Sequence, residues 1–264
     1  MKREKTYLFS FLMKRLVVAP VFYLSIIGVF FTALLPALPD IQMEYEIDVR
    51  DVIYLFQFPF DVTSFSRIVP LLAALTAAAC FAEDYNSRYL YGIVTRMKVR
   101  QYTTCRFSVC ATAGFLTVLL GWTIYIGSIS AFYPMVNMAA GNYQTFCDRL
   151  YGVLLYHGHP VLYMMVQVIG LAISGAFWAA VGLAISAYAP NRYLAIASPF
   201  LINDTLYNLT NDLHWWFSPS NVAKGLELGG NLISFTATLL YFGALLLLLY
   251  ILFHIGVQRR LCHA

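Results

Sequence analysis

Charged residues are scarce in this sequence. They make up 11% of its 264 residues, whereas 60% are hydrophobic, which is far from the composition of a soluble globular domain. This composition excludes a chain that folds in water as one ordinary soluble domain. The net charge is +4, but in a membrane protein the positions of the basic residues carry more information than their sum. We expect no nucleic-acid partner.

Two chemical signatures are also missing. No Gly-x-x-x-x-Gly-Lys-Ser/Thr loop occurs, and no glycine is followed directly by lysine, so the chain lacks this route to ATP and Mg²⁺. Among the five cysteines, only Cys147 falls where we place the outer face of the membrane. One outward thiol cannot close an internal disulfide. We expect no cofactor in this chain and no catalytic or metal-ligating residue.

Long apolar runs are abundant instead. A helix needs roughly 20 apolar residues to cross the hydrocarbon core of a bilayer. Runs of about this length predict an all-α, polytopic integral membrane protein with six transmembrane helices. We place the spans near residues 17–38, 67–82, 107–132, 160–188, 193–209 and 232–256. The second run is short, and the fifth contains polar residues, so these two depart most from a regular span.

The basic residues predict an orientation. Lysine and arginine collect in cytoplasmic loops, and with six spans thirteen of the seventeen fall on the side of the two termini. They are Lys2, Arg3, Lys5, Lys14, Arg15, Arg88, Arg96, Lys98, Arg100, Arg106, Arg192, Arg259 and Arg260. We therefore expect a multi-pass protein of the cell membrane, in particular of a bacterial plasma membrane, with both termini in the cytoplasm. We expect residues 1–264 to form one membrane domain.

Residues 1–16 are predicted to form an amphipathic helix at the membrane interface. Apolar residues recur at helical spacing from residue 7 to residue 12, and a basic pair follows them, as is typical of helices that lie in the interface plane. A flexible basic tail is the alternative. The outer segments 39–66 and 133–159 are too short to be domains. We expect them to form lids or short helices at the membrane surface, because their aromatic residues favour the interface.

The cytoplasmic loop 83–106 carries the most specific pattern. Glu83 and Asp84 lie where the second span ends, a short helical segment follows, and a basic stretch that includes Arg100 leads into the third span. This loop resembles that of the type-2 ABC exporter permeases, in which an acidic residue closes the second span and a short coupling helix follows. Chain length, the number of spans and the amphipathic first helix agree with the same family.

The resemblance implies a function and partners. It implies the membrane-spanning permease subunit of an ATP-driven exporter, which moves an amphipathic or hydrophobic cargo such as a peptide, a lipid or a drug. Its partners would be an ABC-type ATPase subunit, which binds ATP and Mg²⁺, a second identical or homologous permease chain, and membrane lipid. The ATPase-coupling residues would be Glu83, Asp84, Tyr85, Tyr89, Leu90, Gly92, Ile93 and Arg96.

The spacing of Tyr85, Tyr89, Leu90 and Ile93 predicts one helix face that could dock on the ATPase. The alternative is an ordinary basic loop on the cytoplasmic side, which the positive-inside rule alone would explain.

The end of the fifth span is polar. Asn203, Asp204 and Asn208 are therefore candidates for a translocation path, because ionisable residues within a span are functional candidates by default. The alternative is a helix that ends near Ile202 and leaves Asp204 in water. In the resembled family a re-entrant outer hairpin follows this span, and we assign residues 210–231 to such a re-entrant or surface segment.

Three further patterns have ordinary explanations. Glu83-Asp84-x-x-x-Arg88 superficially matches an intramembrane protease family, but no histidine here follows a phenylalanine by four positions, as those enzymes require. The sequence His157-Gly-His159 has no cysteine or carboxylate near it at ligand spacing. Small residues on the fourth span would let a neighbouring helix approach closely; they are Gly170, Ser174, Gly175, Ala179 and Gly182.

An alternative function from a different class remains open. It is a non-transporting membrane scaffold or immunity protein that binds a peptide or a partner at its outer face. A secondary transporter is disfavoured, because the spans show almost no buried charge and no inverted repeat.

Overall fold

The computed structural model describes residues 2–43, 50–61, 63–94, 97–137, 142–210, 218–226 and 228–262. Within these ranges the regular structure is entirely helical. The helices are α1 Lys2–Val18, α2 Pro20–Gln42, α3 Val52–Asp61, α4 Thr63–Leu75, α5 Cys80–Asn86, α6 Tyr89–Val94, α7 Val99–Ser130, α8 Asn142–Cys147, α9 Val153–Tyr156, α10 Pro160–Tyr188, α11 Arg192–Thr210, α12 Pro219–Val222 and α13 Asn231–Cys262.

Four helices in the described part of the chain, α2, α7, α10 and α13, are long and apolar enough to cross a membrane. The bent pair α4 and α5 would add a fifth crossing if it acts as one span. The all-helical fold is therefore confirmed for the described residues, and the long apolar helices agree with a multi-pass membrane protein, whereas six spans are not confirmed. With 32 residues each, α7 and α13 are about 48 Å long, so they extend beyond a hydrocarbon core of about 30 Å.

A bend of 40° separates the segment Arg67–Leu75 from Cys80–Asn86. No proline or glycine lies between them. Instead, the Thr76 hydroxyl donates a hydrogen bond to the Ala73 carbonyl at 2.9 Å, and hydroxyls that bond back to the preceding turn commonly bend helices. The bend turns the end of the second predicted span away from the axis of α4.

Two clusters of buried apolar side chains stabilise the bundle. One contains Leu12 of α1, Leu90 of α6, Tyr102 of α7 and Phe253 of α13. Because these helices share a core, α1 and the last turns of α13 lie at the same end of the bundle, which we call the terminal face. The other cluster lies towards the opposite end, which we call the distal face, and includes Trp122.

Residues 2–16 of the predicted helix all lie in α1, which continues to Val18, and Met1 lies outside the described residues. Leu12 and Leu16 are buried against the bundle, whereas Phe11 and Val18 are exposed. The segment is therefore a helix with one face packed on the protein and one apolar face left free. An apolar face of this kind suits the boundary between lipid and water.

The distal segment 39–66 was predicted to be a lid or a short helix, and α3 is a short helix whose aromatic residues Phe56 and Phe60 are buried in the bundle. Val52, Ile53, Leu55 and Phe56 are fully buried, and the Phe56 ring meets the Trp122 indole edge-on with 5.3 Å between centroids. A helix that is apolar on nearly every side gains most when other helices surround it. Helix α3 accordingly packs among α2, α4, α7 and α10.

Asp51 begins α3. Its Oδ1 accepts a hydrogen bond from the Tyr54 backbone N–H at 2.6 Å, and its Oδ2 accepts one from the Asn137 N–H at 3.0 Å. The carboxyl is only 3% exposed. Burial raises the pKa of Asp51 above the ordinary value of 3.8, although the backbone hydrogen bonds oppose the shift. Burial thus favours the neutral acid in the folded protein.

This raised pKa predicts a pH dependence of stability. A carboxyl that binds its proton more tightly in the folded state stabilises the fold at low pH, and the contribution is lost as pH rises from 3.8 through the raised pKa. We expect Asp51→Asn, which keeps an N-cap acceptor, to show a flatter dependence of melting temperature on pH than the parent. Parallel curves for the two proteins would contradict the prediction.

Candidate functional site

A buried charged cluster joins α5 to α7 at the terminal face. Asp84 and Arg106 are each 4% exposed, and the Arg106 Nη2 forms an ion pair with the Asp84 Oδ2. The Tyr102 hydroxyl, on the same face of α7 one turn earlier, donates a hydrogen bond to that oxygen at 2.6 Å. The Arg106 guanidinium also lies 5.9 Å from the centre of the Tyr102 ring. Two partners therefore hold one carboxylate.

The cluster of Asp84, Tyr102 and Arg106, which we call the joint, fixes the end of α5 relative to α7. Charges buried away from water must be paired and hydrogen-bonded, since an unpaired buried charge is very costly. Asp84 therefore cannot move away from Arg106 without a large penalty. The end of α5 and the start of α7 are thus coupled, although a short helix and a basic segment separate them in the chain.

Helix α6 lies between these two elements. The chain turns into it at Arg88, whose φ is +59°, and only a small left-handed region allows such an angle for a non-glycine residue. The Tyr89 side chain is 45% exposed, whereas Leu90 is fully buried. Gly92 is exposed, and no atom lies within 4 Å of the position that a Cβ on it would occupy.

The predicted docking face is therefore not reproduced as one exposed surface. Leu90 points inward because its side chain completes the apolar core at the terminal face, so Tyr89 and Leu90 lie on different sides of α6. The Ile93 side chain and Arg96 lie outside the described residues. On the described surface, Tyr89 is the large side chain of α6 that is free to meet a partner.

The loop also contacts the other helices at the terminal face. The Asn86 side-chain amide donates a hydrogen bond to the Pro190 carbonyl at 3.2 Å. The Glu83 carboxylate lies 3.9 Å from the Arg192 guanidinium at the start of α11, and both side chains are largely exposed. An exposed ion pair contributes little to stability. These contacts nevertheless place α5 against the connection between α10 and α11.

Tyr85 is held from the side of α13. Its ring stacks on Phe81 with 6.2 Å between centroids, and the Arg260 guanidinium lies 5.8 Å from its centre. Arg260 also donates hydrogen bonds to the Ala187 and Tyr188 carbonyls. A cation at the last carbonyls of α10 is favourable for the helix dipole. The Tyr85 side chain is therefore half-buried in contacts within the chain and is not fully available to a partner.

The polar residues of α11 do not form one site. Asn203 is 1% exposed and accepts a hydrogen bond from the Ser220 hydroxyl at 2.5 Å. Asp204 faces the other way, where its Oδ1 lies 3.5 Å from the Arg67 guanidinium. The Asn208 amide lies 3.4 Å from the Asp204 Oδ2. The Asp204 side chain is 36% exposed, so it lies at the surface of the bundle.

The segment 210–231 is described only in part, since residues 211–217 and 227 lie outside the described ranges. The short helix α12 packs into the bundle, with Pro219, Ser220 and Val222 buried. The Lys224 ammonium donates a hydrogen bond to the Phe60 carbonyl at 2.6 Å, which places it at the C-terminal end of α3. The described part of the segment therefore packs against α3 and α11.

The small residues of α10 lie at contacts within this chain. A Cβ added to Gly175 would lie 2.6 Å from the Val118 Cγ2 and 2.8 Å from the Gly114 carbonyl oxygen of α7. One added to Gly182 would lie 2.4 Å from the Ala195 carbonyl oxygen of α11. The close approach expected from the sequence is thus confirmed, and the neighbours are α7 and α11.

The sequence analysis missed the pairing partners at the terminal face. Arg106 was assigned only to a basic loop, and Tyr102 was given no role. A usable signal existed, because the two lie four positions apart and so share one face of a helix, next to a span that ends in two carboxylates. The exposed His157 and His159, on either side of Gly158, join no such cluster among the described residues.

Comparisons of the chain with protein families, with curated proteins and with solved structures found no match. What the structure shows is a helical chain with several helices long and apolar enough to cross a membrane and a buried ion pair at its terminal face.

Proposed function

We propose that the chain is the membrane-spanning permease subunit of an ATP-driven exporter, with six crossings and both termini in the cytoplasm. It would move an amphipathic or hydrophobic cargo, together with a second permease chain and an ABC-type ATPase. The observation that carries the proposal is that α6, with Tyr89 exposed, lies between two helices locked together by Asp84, Tyr102 and Arg106.

The buried joint supports a coupling role for α6. A force on Tyr89 would pass through the buried Leu90 into the core at the terminal face and through the joint into α5 and α7. The Asn86 contact to Pro190 and the Arg260 contact to Tyr85 would carry the same displacement to α10, α11 and α13. Packed elements that move as units are the usual means of switching between conformations.

The position of α11 supports six crossings. At one end Arg192 lies near Glu83 of α5, and at the other Asp204 lies near Arg67 of α4. Helix α11 therefore runs antiparallel to the bent pair from Arg192 to Asp204. In this arrangement Asp204 lies near the distal end of the bundle, which favours the alternative in which its carboxylate meets water.

The filled centre of the bundle supports a second permease chain. Trp122, Tyr125, Tyr163 and Trp178 are fully buried between the helices and leave no route through the described part of one chain. The Asn203 side chain is buried as well, and its Oδ1 accepts a hydrogen bond from the Ser220 hydroxyl. A translocation path would then form between two chains, where Asp204 and Asn208 could face it.

Loss of the Tyr89 ring is expected to uncouple the ATPase. Large aromatic side chains at the centre of an interface often contribute 2 kcal/mol or more, so we expect Tyr89→Ala to weaken ATPase association by about thirtyfold or more. Cargo-stimulated ATP hydrolysis should fall with it. The measurement is ATPase activity and stoichiometry after affinity purification of the permease from its native membrane in mild detergent.

A matched control is Tyr156→Ala, because Tyr156 is also exposed but belongs to α9 on the distal side of α10. It should leave ATPase association unchanged. If the purified protein never recruits an ATP-hydrolysing partner, the proposal fails and the scaffold or immunity function is favoured. Equal losses in the two variants would also contradict coupling through α6.

A further inference from the structure

A cavity of about 220 Å³ lies at the terminal face, where α1, α5, α7 and α11 meet. It is far larger than the roughly 10–15 Å³ that a single water needs. The bend between α4 and α5 explains its origin, since Leu75, Thr76 and Cys80 on either side of the bend line it. None of the residues that line it belongs to α6.

Charged groups from four helices face this cavity. They are Arg15 of α1, Glu83 and Asp84 of α5, Arg106 of α7 and Arg192 of α11. With three guanidinium groups and two carboxylates, these side chains carry a net charge of +1. Asp84 is committed to Arg106 and Glu83 lies near Arg192, so Arg15 supplies the excess positive charge.

One donor in the cavity wall has no partner. The Arg106 Nε is buried and makes no hydrogen bond to any described residue. A buried N–H without an acceptor is costly, so an acceptor that entered the cavity would stabilise this side chain. The excess positive charge and the free N–H both suit a singly charged oxyanion.

The rest of the wall is apolar. Leu12 and Leu16 of α1, Val109 of α7 and Ile196 of α11 line the same space. A small soluble anion would leave these side chains without contacts. A molecule with a charged phosphate and a hydrocarbon part would satisfy both halves of the wall. Helix α1, with Phe11 and Val18 exposed beside it, also places the cavity where a membrane surface would lie.

We propose that this cavity binds the phosphodiester headgroup of an anionic phospholipid. The phosphate oxygens accept hydrogen bonds from Arg106 and Arg15, and the first part of an acyl chain packs on Leu12 and Leu16. Basic pockets between helices at the cytoplasmic surface recognise lipid headgroups in this way. The site would tie α1 to the bent pair, and it requires no ATPase partner.

The test uses the full-length protein in a neutral detergent, with lipid binding measured by native mass spectrometry. We expect phosphatidylglycerol to bind at least tenfold more tightly than phosphatidylcholine. Arg15→Gln should weaken phosphatidylglycerol binding by about tenfold, as expected for loss of a charge-assisted hydrogen bond. Arg15→Lys should restore most of the binding. Because Arg15 is exposed, its replacement is not expected to prevent folding.

The matched control is Lys14→Gln. Lys14 precedes Arg15 on the same helix and is also exposed, but it does not line the cavity, so its replacement should change binding less than twofold. Glycerol 3-phosphate and inorganic phosphate form a further arm and should not compete at concentrations far above that of the lipid. Equal losses for Lys14→Gln and Arg15→Gln, equal binding of the two lipids, or effective competition by either soluble anion would overturn the proposal. These outcomes are independent of whether an ATPase associates.

Discussion

Replacement of Arg106 by methionine is expected to lower the free energy of unfolding by about 3–5 kcal/mol, because removal of one partner leaves the other charge buried and uncompensated. Asp84 is 4% exposed, and among the described residues its carboxylate would keep only the Tyr102 hydroxyl as a hydrogen-bond donor. The measurement is reversible unfolding in mixed micelles, followed by circular dichroism.

A neighbouring carboxylate provides the control. Glu83 is exposed and pairs loosely with Arg192 at 3.9 Å, so Glu83→Ala should cost less than about 1 kcal/mol. The double variant Asp84→Asn, Arg106→Met removes both charges and retains an acceptor for Tyr102. It should therefore be more stable than Arg106→Met alone. If the double variant loses as much as the two single changes together, the two residues do not interact energetically.

Substitution of a single glycine is expected to disrupt the contact between α7 and α10. In Gly114→Ala the new Cβ would lie 2.5 Å from the Gly175 carbonyl oxygen and 2.6 Å from the Ala179 Cβ. Backbone atoms cannot rotate away, so the two helices must separate. Overpacking of this kind costs about 1–3 kcal/mol, and Gly114→Val should cost more. The measurement is the same unfolding experiment.

Gly127→Ala is the matched control on the same helix. No atom lies within 4 Å of the position that its Cβ would occupy, and alanine is favoured over glycine in a helix by about 1 kcal/mol. Its stability should equal or exceed that of the parent. Equal destabilisation by Gly114→Ala and Gly127→Ala would show that helix propensity, rather than the close contact, governs this region.

The helical membrane architecture could be predicted from the sequence because it depends on local properties of the chain. Apolar runs of sufficient length predicted α2, α7, α10 and α13, and spacing alone predicted α1. A short helix after the second predicted span was also expected, and α6 is present. The stripe through Gly175 and Gly182 indicated close helix packing, which the structure shows.

Local patterns failed where the burial of a residue depends on which other helix covers it. The aromatic residues of α3 indicated a surface helix as readily as a buried one, and only contact with Trp122 and its neighbours decides between the two. Leu90 matched the expected docking face by spacing, but the core at the terminal face takes its side chain. Spacing defines the face of a helix and not its environment.

The sequence by itself therefore predicted a helical chain, its long apolar helices and the short helix after the second predicted span. Tertiary structure alone decided that Asp84 and Arg106 form a buried pair, that Asn203 and Asp204 face opposite ways, and that a cavity opens beside α1. The physical reason is that burial and pairing are properties of contacts between distant segments. Hydropathy and helical spacing are properties of one segment at a time.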